Sequence, residues 1–210
     1  MSLKIKVCGM KDPDNIRLVC ELQPDFMGFI FYSGSPRYFE GTDDPFSHTD
    51  VQGTEKVGVF VNETVESVLY KIGRYKLDMV QLHGNETPEY CSTIKRAGIP
   101  IIKAACINNH KDLENLSVFE NHCDYFLFDK GGQKFGGTGE KFSWEILKSY
   151  TMHIPFFLSG GIGPDDAGII KELNHPGLFA VDINSRFEIS PGMKDVSLVK
   201  TFIKSIRQQI

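Results

Sequence analysis

Eight short apolar runs, rich in β-branched and aromatic residues, alternate along this chain with segments whose apolar residues recur at helical spacing. The strand-like runs are 3–8 (LKIKVC), 25–31 (DFMGFIF), 56–61 (KVGVFV), 78–82 (DMVQL), 100–105 (PIIKAA), 124–129 (DYFLFD), 154–158 (IPFFL) and 178–183 (LFAVDI). Between them the spacing predicts helices over 13–22, 64–75, 87–97, 110–119, 142–149, 164–173 and 195–208. The first opens at Pro13 behind an Asp12 N-cap, the third begins after Glu86, and the sixth opens at Pro164. Strict alternation implies a parallel sheet with right-handed crossovers, and eight such units allow the sheet to close on itself. The predicted fold is α/β, a (β/α)8 TIM barrel forming one domain over 1–210. An open doubly wound sheet is the competitor, but it normally carries a dinucleotide loop after its first strand, and CGMKDP is not G-x-G-x-x-G. Only 32–55 breaks the rhythm: Gly, Ser, Pro, Thr and Asp predict a long loop with at most one short helix.

Composition narrows the function. The length of 210 residues suits a compact barrel, and 41% hydrophobic residues with 16 Phe supply its core. A formal net charge of -4 without clustered Lys and Arg argues against nucleic acid as partner. Five cysteines, odd in number and without a Cys-x-x-Cys pair, give neither a disulfide framework nor a zinc site, which fits a reducing cytosol. The N-terminus enters a strand pattern directly, and no apolar run approaches the roughly 20 residues needed to span a bilayer. The expected setting is cytoplasmic, with no membrane partner.

In such a barrel the chemistry is expected where strands end. The first strand ends in Cys8-Gly9. Cys8 reads either as a small buried hydrophobe or as a partly solvated thiol whose lowered pKa makes it a general base. Asp129 closes an aromatic run; it can cap its loop or pair with Lys130, or serve as a general acid kept protonated by apolar neighbours such as Phe126 and Phe128. Gly160-Gly161 and the segment Asn184-Ser185-Arg186, after the seventh and eighth strands, offer backbone N–H groups where such barrels bind phosphate. Arg37 lies on the loop after the second strand, a solvated bystander or the planar partner of a substrate carboxylate. His83, after the fourth, is an orienting group or a satisfied histidine.

Taken in order, KVCGM, GFIFYSGSPRY, VGVFVN, VQLHGNE, LFDK, GGTGEKFSW, LSGGI and VDINSRFE with PGMKD resemble the phosphoribosylanthranilate isomerase family from Lys4 to Asp195. That resemblance implies an Amadori rearrangement of N-(5-phosphoribosyl)anthranilate to 1-(2-carboxyphenylamino)-1-deoxyribulose 5-phosphate, in tryptophan biosynthesis, without metal or organic cofactor. It implies Asp129 as general acid and Cys8 as general base, Arg37 as the carboxylate anchor, and Asp182 as a polar substrate contact. Gly160, Gly161 and 184–186 fall on its phosphate positions. The chain departs from the family at Arg186, where small residues and glycine are usual. Either the backbone differs there, or Arg186 turns outward, or its charge reaches the phosphate. Oligomeric state, monomer or homodimer, is not legible.

Two rival readings stay beside this one. A histidine-pathway aminoaldose isomerase shares the reaction type and phosphate site, but that family places an aspartate where Cys8 stands and shows half-barrel repetition. A non-catalytic phospholigand-binding barrel would need neither Cys8 nor Asp129.

Overall fold

The computed structural model describes residues 3–40, 53–130 and 144–208. Eight parallel strands close in sequence order into a barrel: β1 (Lys4–Cys8), β2 (Phe26–Ile30), β3 (Glu55–Phe60), β4 (Met79–Leu82), β5 (Ile101–Cys106), β6 (Tyr125–Asp129), β7 (Phe156–Leu158) and β8 (Leu178–Ile183), with β8 pairing back onto β1. Every predicted strand is present, its ends shifted by two residues at most.

The helices hold where their apolar residues repeat at helical spacing. These are α1 (Pro13–Cys20), α2 (Val65–Tyr75), α3 (Pro88–Lys95), α4 (His110–Glu114), α5 (Ala167–Glu172) and α6 (Val196–Arg207). The Asp12 side chain accepts from Asn15 N–H at 2.9 Å, as an N-cap should. Thr87 caps α3. Three predicted helices are partly or wholly of the tighter 3₁₀ kind, at Asn115–Phe119, Trp144–Ser149 and Pro164–Asp166. In the first two the core-facing residues stand three apart, Leu113, Leu116 and Phe119 in one and Trp144 and Leu147 in the other, a spacing that three residues per turn satisfies. The predicted helix residues 142–143, the glycine-rich stretch 131–141, and residues 41–52 of the loop 32–55 lie outside the described residues. A hairpin that the periodicity did not reveal, β9 (Glu188–Ser190) with β10 (Met193–Lys194), turns through Ser190-Pro191-Gly192 before α6.

Strand alternation divides the barrel interior into two storeys. Phe26, Val57, Met79, Ile102, Leu127 and Phe157 fill the lower one. Lys6, Gln81 and Asp182 stand above them, all buried. At the lower rim one latch occurs three times. Asp25, Asp78 and Asp124, each at the entry to an even-numbered strand, accept the backbone N–H of Ile5, Lys56 and Ile101 on the preceding odd-numbered strand, at 2.7 to 2.9 Å.

At the upper rim the loop after β4 is held from beneath. Glu86 accepts the backbone N–H groups of Asn62 and Gly84, and the buried Lys103 donates to Glu86 at 2.9 Å and to the Gly84 carbonyl at 2.7 Å. Glu86→Ala removes the counter-charge of a buried ammonium together with two amide acceptors. It is expected to cost about 3–5 kcal/mol, read as a lowered urea-unfolding midpoint.

Candidate active site

Cys8 stands at the upper end of β1 on its inward face, opposite Gly28 of β2. A side chain at 28 would clash, because a Cβ there would lie 2.7 Å from Cys8 Sγ. Gly28, in the middle of a strand where glycine is otherwise unfavourable, leaves the space that the thiol occupies. The thiol is buried, 4% exposed, which corrects the expectation of a partly solvated group with lowered pKa. Burial raises its pKa, and the nearby Lys6 and Lys194 pull the other way without winning.

Two residues below Cys8 on the same face is Lys6, wholly buried. Its ammonium donates to Gln81 Oε1 at 2.7 Å and to Asp182 Oδ2 at 3.0 Å, and its charge acts on the nearby Cys8 thiol. Burial works to lower the Lys6 pKa, but Asp182 and Cys8 hold it above its ordinary value. Asp182 is pushed up by burial despite Lys6. Its other oxygen, Oδ1, is buried and has no hydrogen-bond partner among the described residues. A buried acceptor left open in a cleft wall is where a ligand hydroxyl fits.

Asp129 ends β6. One oxygen accepts the Lys130 backbone N–H at 2.8 Å, and the other faces His83 Nε2 at 3.7 Å. Burial, reinforced by Asp182, lifts this carboxyl to about 6 against the Lys130 amide and Lys6. Desolvation therefore acts on Asp129 in the expected direction, but not through Phe126 and Phe128, which alternate to the outer face of β6 and pack against Tyr150 and Phe156. His83 is lowered to about 4, first by burial and then by Lys6 and Lys103, so it is neutral near pH 7.

Arg37 crosses above Gly9, whose left-handed φ of +76° and missing Cβ make room for the Arg37 Cδ. The Nε and Nη2 groups of Arg37 grip Glu188 of the β9–β10 hairpin at 2.7 to 3.0 Å. Nη1 has no hydrogen-bond partner among the described residues, and Arg37 lines the cleft, where a guanidinium suits a carboxylate. Glu188 also takes the buried Lys194 at 2.7 Å, and Lys194 donates to Asn184 Oδ1 at 2.7 Å. Gly160 and Gly161, both left-handed at φ +88° and +65°, bring the β7 loop close to Asp129.

Nine of the ten sequence-predicted residues wall one open cleft of about 800 Å³: Cys8, Arg37, His83, Asp129, Gly160, Gly161, Asp182, Asn184 and Ser185. Arg186 does not. It sits in the 3₁₀ turn Ser185–Phe187, exposed, with its Cδ over Gly163, so its backbone needs no left-handed geometry and its side chain lies outside the wall. Sequence reading missed Lys6, Gln81, Glu188 and Lys194. Alternation along β1 and β4 carried the signal for the first two, which share a face with Cys8 and His83. Among the described residues no group of three or more His, Cys, Asp and Glu side chains is placed to hold a metal ion, and no helix is long and apolar enough to cross a membrane.

The family model of N-(5'phosphoribosyl)anthranilate (PRA) isomerase matches residues 5–205. The N-(5'-phosphoribosyl)anthranilate isomerase of Parabacteroides distasonis is 46% identical over 204 residues, covering 96% of this chain and 92% of that protein. That of Phocaeicola vulgatus is 41% identical and covers 98% of each. Among solved structures, phosphoribosyl anthranilate isomerase from Thermotoga maritima is similar with a TM-score of 0.84 at 32% identity, covering 97% of this chain and 98% of that one. A phosphoribosyl anthranilate isomerase in complex with reduced 1-(o-carboxyphenylamino)-1-deoxyribulose 5-phosphate gives 0.84 at 31% identity over the same shares.

Gly28→Ala is expected to displace the Cys8 thiol while the barrel still forms. Turnover should fall by about a hundredfold, the scale of an ångström-sized misplacement, with the circular-dichroism spectrum unchanged.

Proposed function

The chain belongs to the N-(5'-phosphoribosyl)anthranilate isomerase family, and from that premise we propose a division of labour within its cleft. The enzyme converts N-(5-phosphoribosyl)anthranilate into 1-(2-carboxyphenylamino)-1-deoxyribulose 5-phosphate in tryptophan biosynthesis. The observation that carries the assignment of roles is that Cys8 and Asp129, from β1 and β6, wall the same cleft as the open Asp182 Oδ1.

Asp129 gives its proton to the furanose ring oxygen. The C1′–O bond breaks, the anilino nitrogen lone pair forms the C1′=N bond, and the nitrogen becomes a cationic iminium. Cys8, as thiolate, removes the C2′ proton, and the C–H electron pair moves to neutralise the nitrogen as an enolamine. Reprotonation at C1′ and loss of the enol proton give the ketone. The phosphate is held by the backbone at Gly160, Gly161, Asn184 and Ser185, and the anthranilate carboxylate by Arg37 beside the apolar wall of Ile30, Val59 and Val61. Asp182 Oδ1 takes a ribose hydroxyl. Anchoring both ends leaves the sugar between acid and base, so positioning supplies much of the rate. One barrel domain in a reducing cytoplasm is the setting of this reading, supported by five cysteines without a disulfide.

Cys8→Ala and Asp129→Asn should each lower turnover by roughly two or more orders of magnitude, followed by the fluorescence loss of phosphoribosylanthranilate. Full activity in either variant overturns that residue's role.

The two shifts also set a pH profile. Productive enzyme needs Asp129 protonated and Cys8 ionised, one proton between them. Below about 6 both groups hold their protons and the base is lost. Above the raised thiol pKa both are ionised and the acid is lost. The kcat/KM profile should therefore be a broad bell, its acid limb near 6 and its alkaline limb above the ordinary thiol value of 9.0. A profile that falls away from pH 7 upward would contradict the thiol assignment.

A further inference from the structure

A line of side chains crosses the floor of the cleft from β8 to β6. Asp182 meets Lys6, Lys6 donates to Gln81 Oε1 at 2.7 Å, and Gln81 Nε2 meets His83 Nδ1 at 2.7 Å. His83 Nε2 then faces Asp129 Oδ2 at 3.7 Å. Each step dictates the next. An ammonium only donates, so Gln81 turns its carbonyl to Lys6 and its NH2 to His83. An amide NH2 also only donates, so Nδ1 of His83 must accept. The proton of the neutral ring is then on Nε2, the nitrogen facing Asp129. An imidazolium would set N–H against N–H at Gln81, in keeping with the depressed pKa of His83.

The gap between His83 Nε2 and Asp129 Oδ2 is too long for a good hydrogen bond, yet one oxygen at about 2.9 Å from each can straddle it. We propose that Gln81 is a positioning residue that locks His83 as an Nε2–H donor, so that His83 and Asp129 hold the same substrate oxygen while Asp129 protonates it. The proposal rests on the reading of Asp129 as the acid. His83 acts as a fixed donor and carries no proton across. Lys6, through Gln81, fixes the orientation of His83.

Gln81→Glu tests this with almost no change in shape. A carboxylate accepts at both ends, so Lys6 keeps its partner while His83 must offer Nδ1–H. Long-range ¹H–¹⁵N spectra, with the His83 signals assigned by their loss in His83→Asn, should show Nε2–H in the unaltered protein and a protonated Nδ1 in Gln81→Glu. The same variant should lose kcat by about ten- to hundredfold with a smaller change in KM. An Nδ1–H tautomer in the unaltered protein overturns the proposal whether or not any variant folds. So does a switched tautomer with undiminished kcat. A fully active Asp129→Asn overturns the reading beneath it and the part given to His83, a failure told apart from the first because the tautomer stays as described.

Discussion

A wholly buried ammonium organises this cleft. Lys6 has no water to turn to, and an uncompensated charge at that depth would cost several kcal/mol, so its three N–H groups must find acceptors in the barrel. They find Asp182 on β8 and Gln81 on β4, with the Cys8 thiol of its own strand close enough to feel the charge. One charge thereby fixes groups from three strands whose order in the chain is far apart. The thiol has a cation beside it, the carboxylate is turned so that its second oxygen stays open, and the amide is oriented toward His83. Any rearrangement that frees one of these partners exposes the others to the same desolvation cost, which makes the geometry stiff without a bound ligand.

That stiffness has a support on each side. Below Lys6 the barrel is aromatic and dry, with Phe26 and Phe157 at 5.4 Å and Tyr125 and Phe179 at 4.8 Å between ring centres. Such packing leaves no polar alternative in reach, so the ammonium can be satisfied only upward. Above it, Glu188 gathers Arg37 and Lys194 as Lys6 gathers its acceptors, with the sign reversed. Asn15 completes this second cluster by exchanging two hydrogen bonds with the Lys194 backbone, at 2.8 and 2.9 Å, which ties the hairpin to α1. The upper rim is thus built from charges that hold one another in place before any substrate arrives.

The barrel was legible because its signal repeats: eight apolar runs with helical spacing between them leave few alternatives, and the family motifs fell on the strand ends. Cys8, Asp129 and His83 were readable because a residue that closes or follows a strand of a barrel faces the mouth, whereas Asp182 came only from the family resemblance. Lys6 was not, because a lysine within KIKVC reads as the polar face of a strand, and only closure of the sheet turns that face into an interior. Glu188 was hidden differently. It sits on a three-residue strand whose partner has two, too short for any period, although Ser-Pro-Gly marks the turn between them. Its contact with Arg37 spans 151 positions and has no local trace. The thiol was placed correctly but its environment was not: a strand end at a barrel mouth reads as wet, whereas Gly28 lets Sγ sink against β2.

That burial bears on how a sulfur would act in the role of base proposed for Cys8. In the resting cleft a neutral thiol beside Lys6 and Lys194 leaves both ammonium charges unopposed by sulfur, which favours a substrate that carries a phosphate and a carboxylate. Ring opening then creates an iminium next to Cys8, a new positive charge formed where the dielectric is low and little water screens it. That cation favours the thiolate form of Cys8 and acidifies the C2′–H that the thiolate removes. On this reading Cys8, ionised in the productive form, has no acidic C2′ proton to remove until the acid has acted. With the roles proposed for them, desolvation keeps Asp129 protonated and the iminium that its proton generates makes the C2′ proton removable by Cys8, so ring opening precedes proton abstraction.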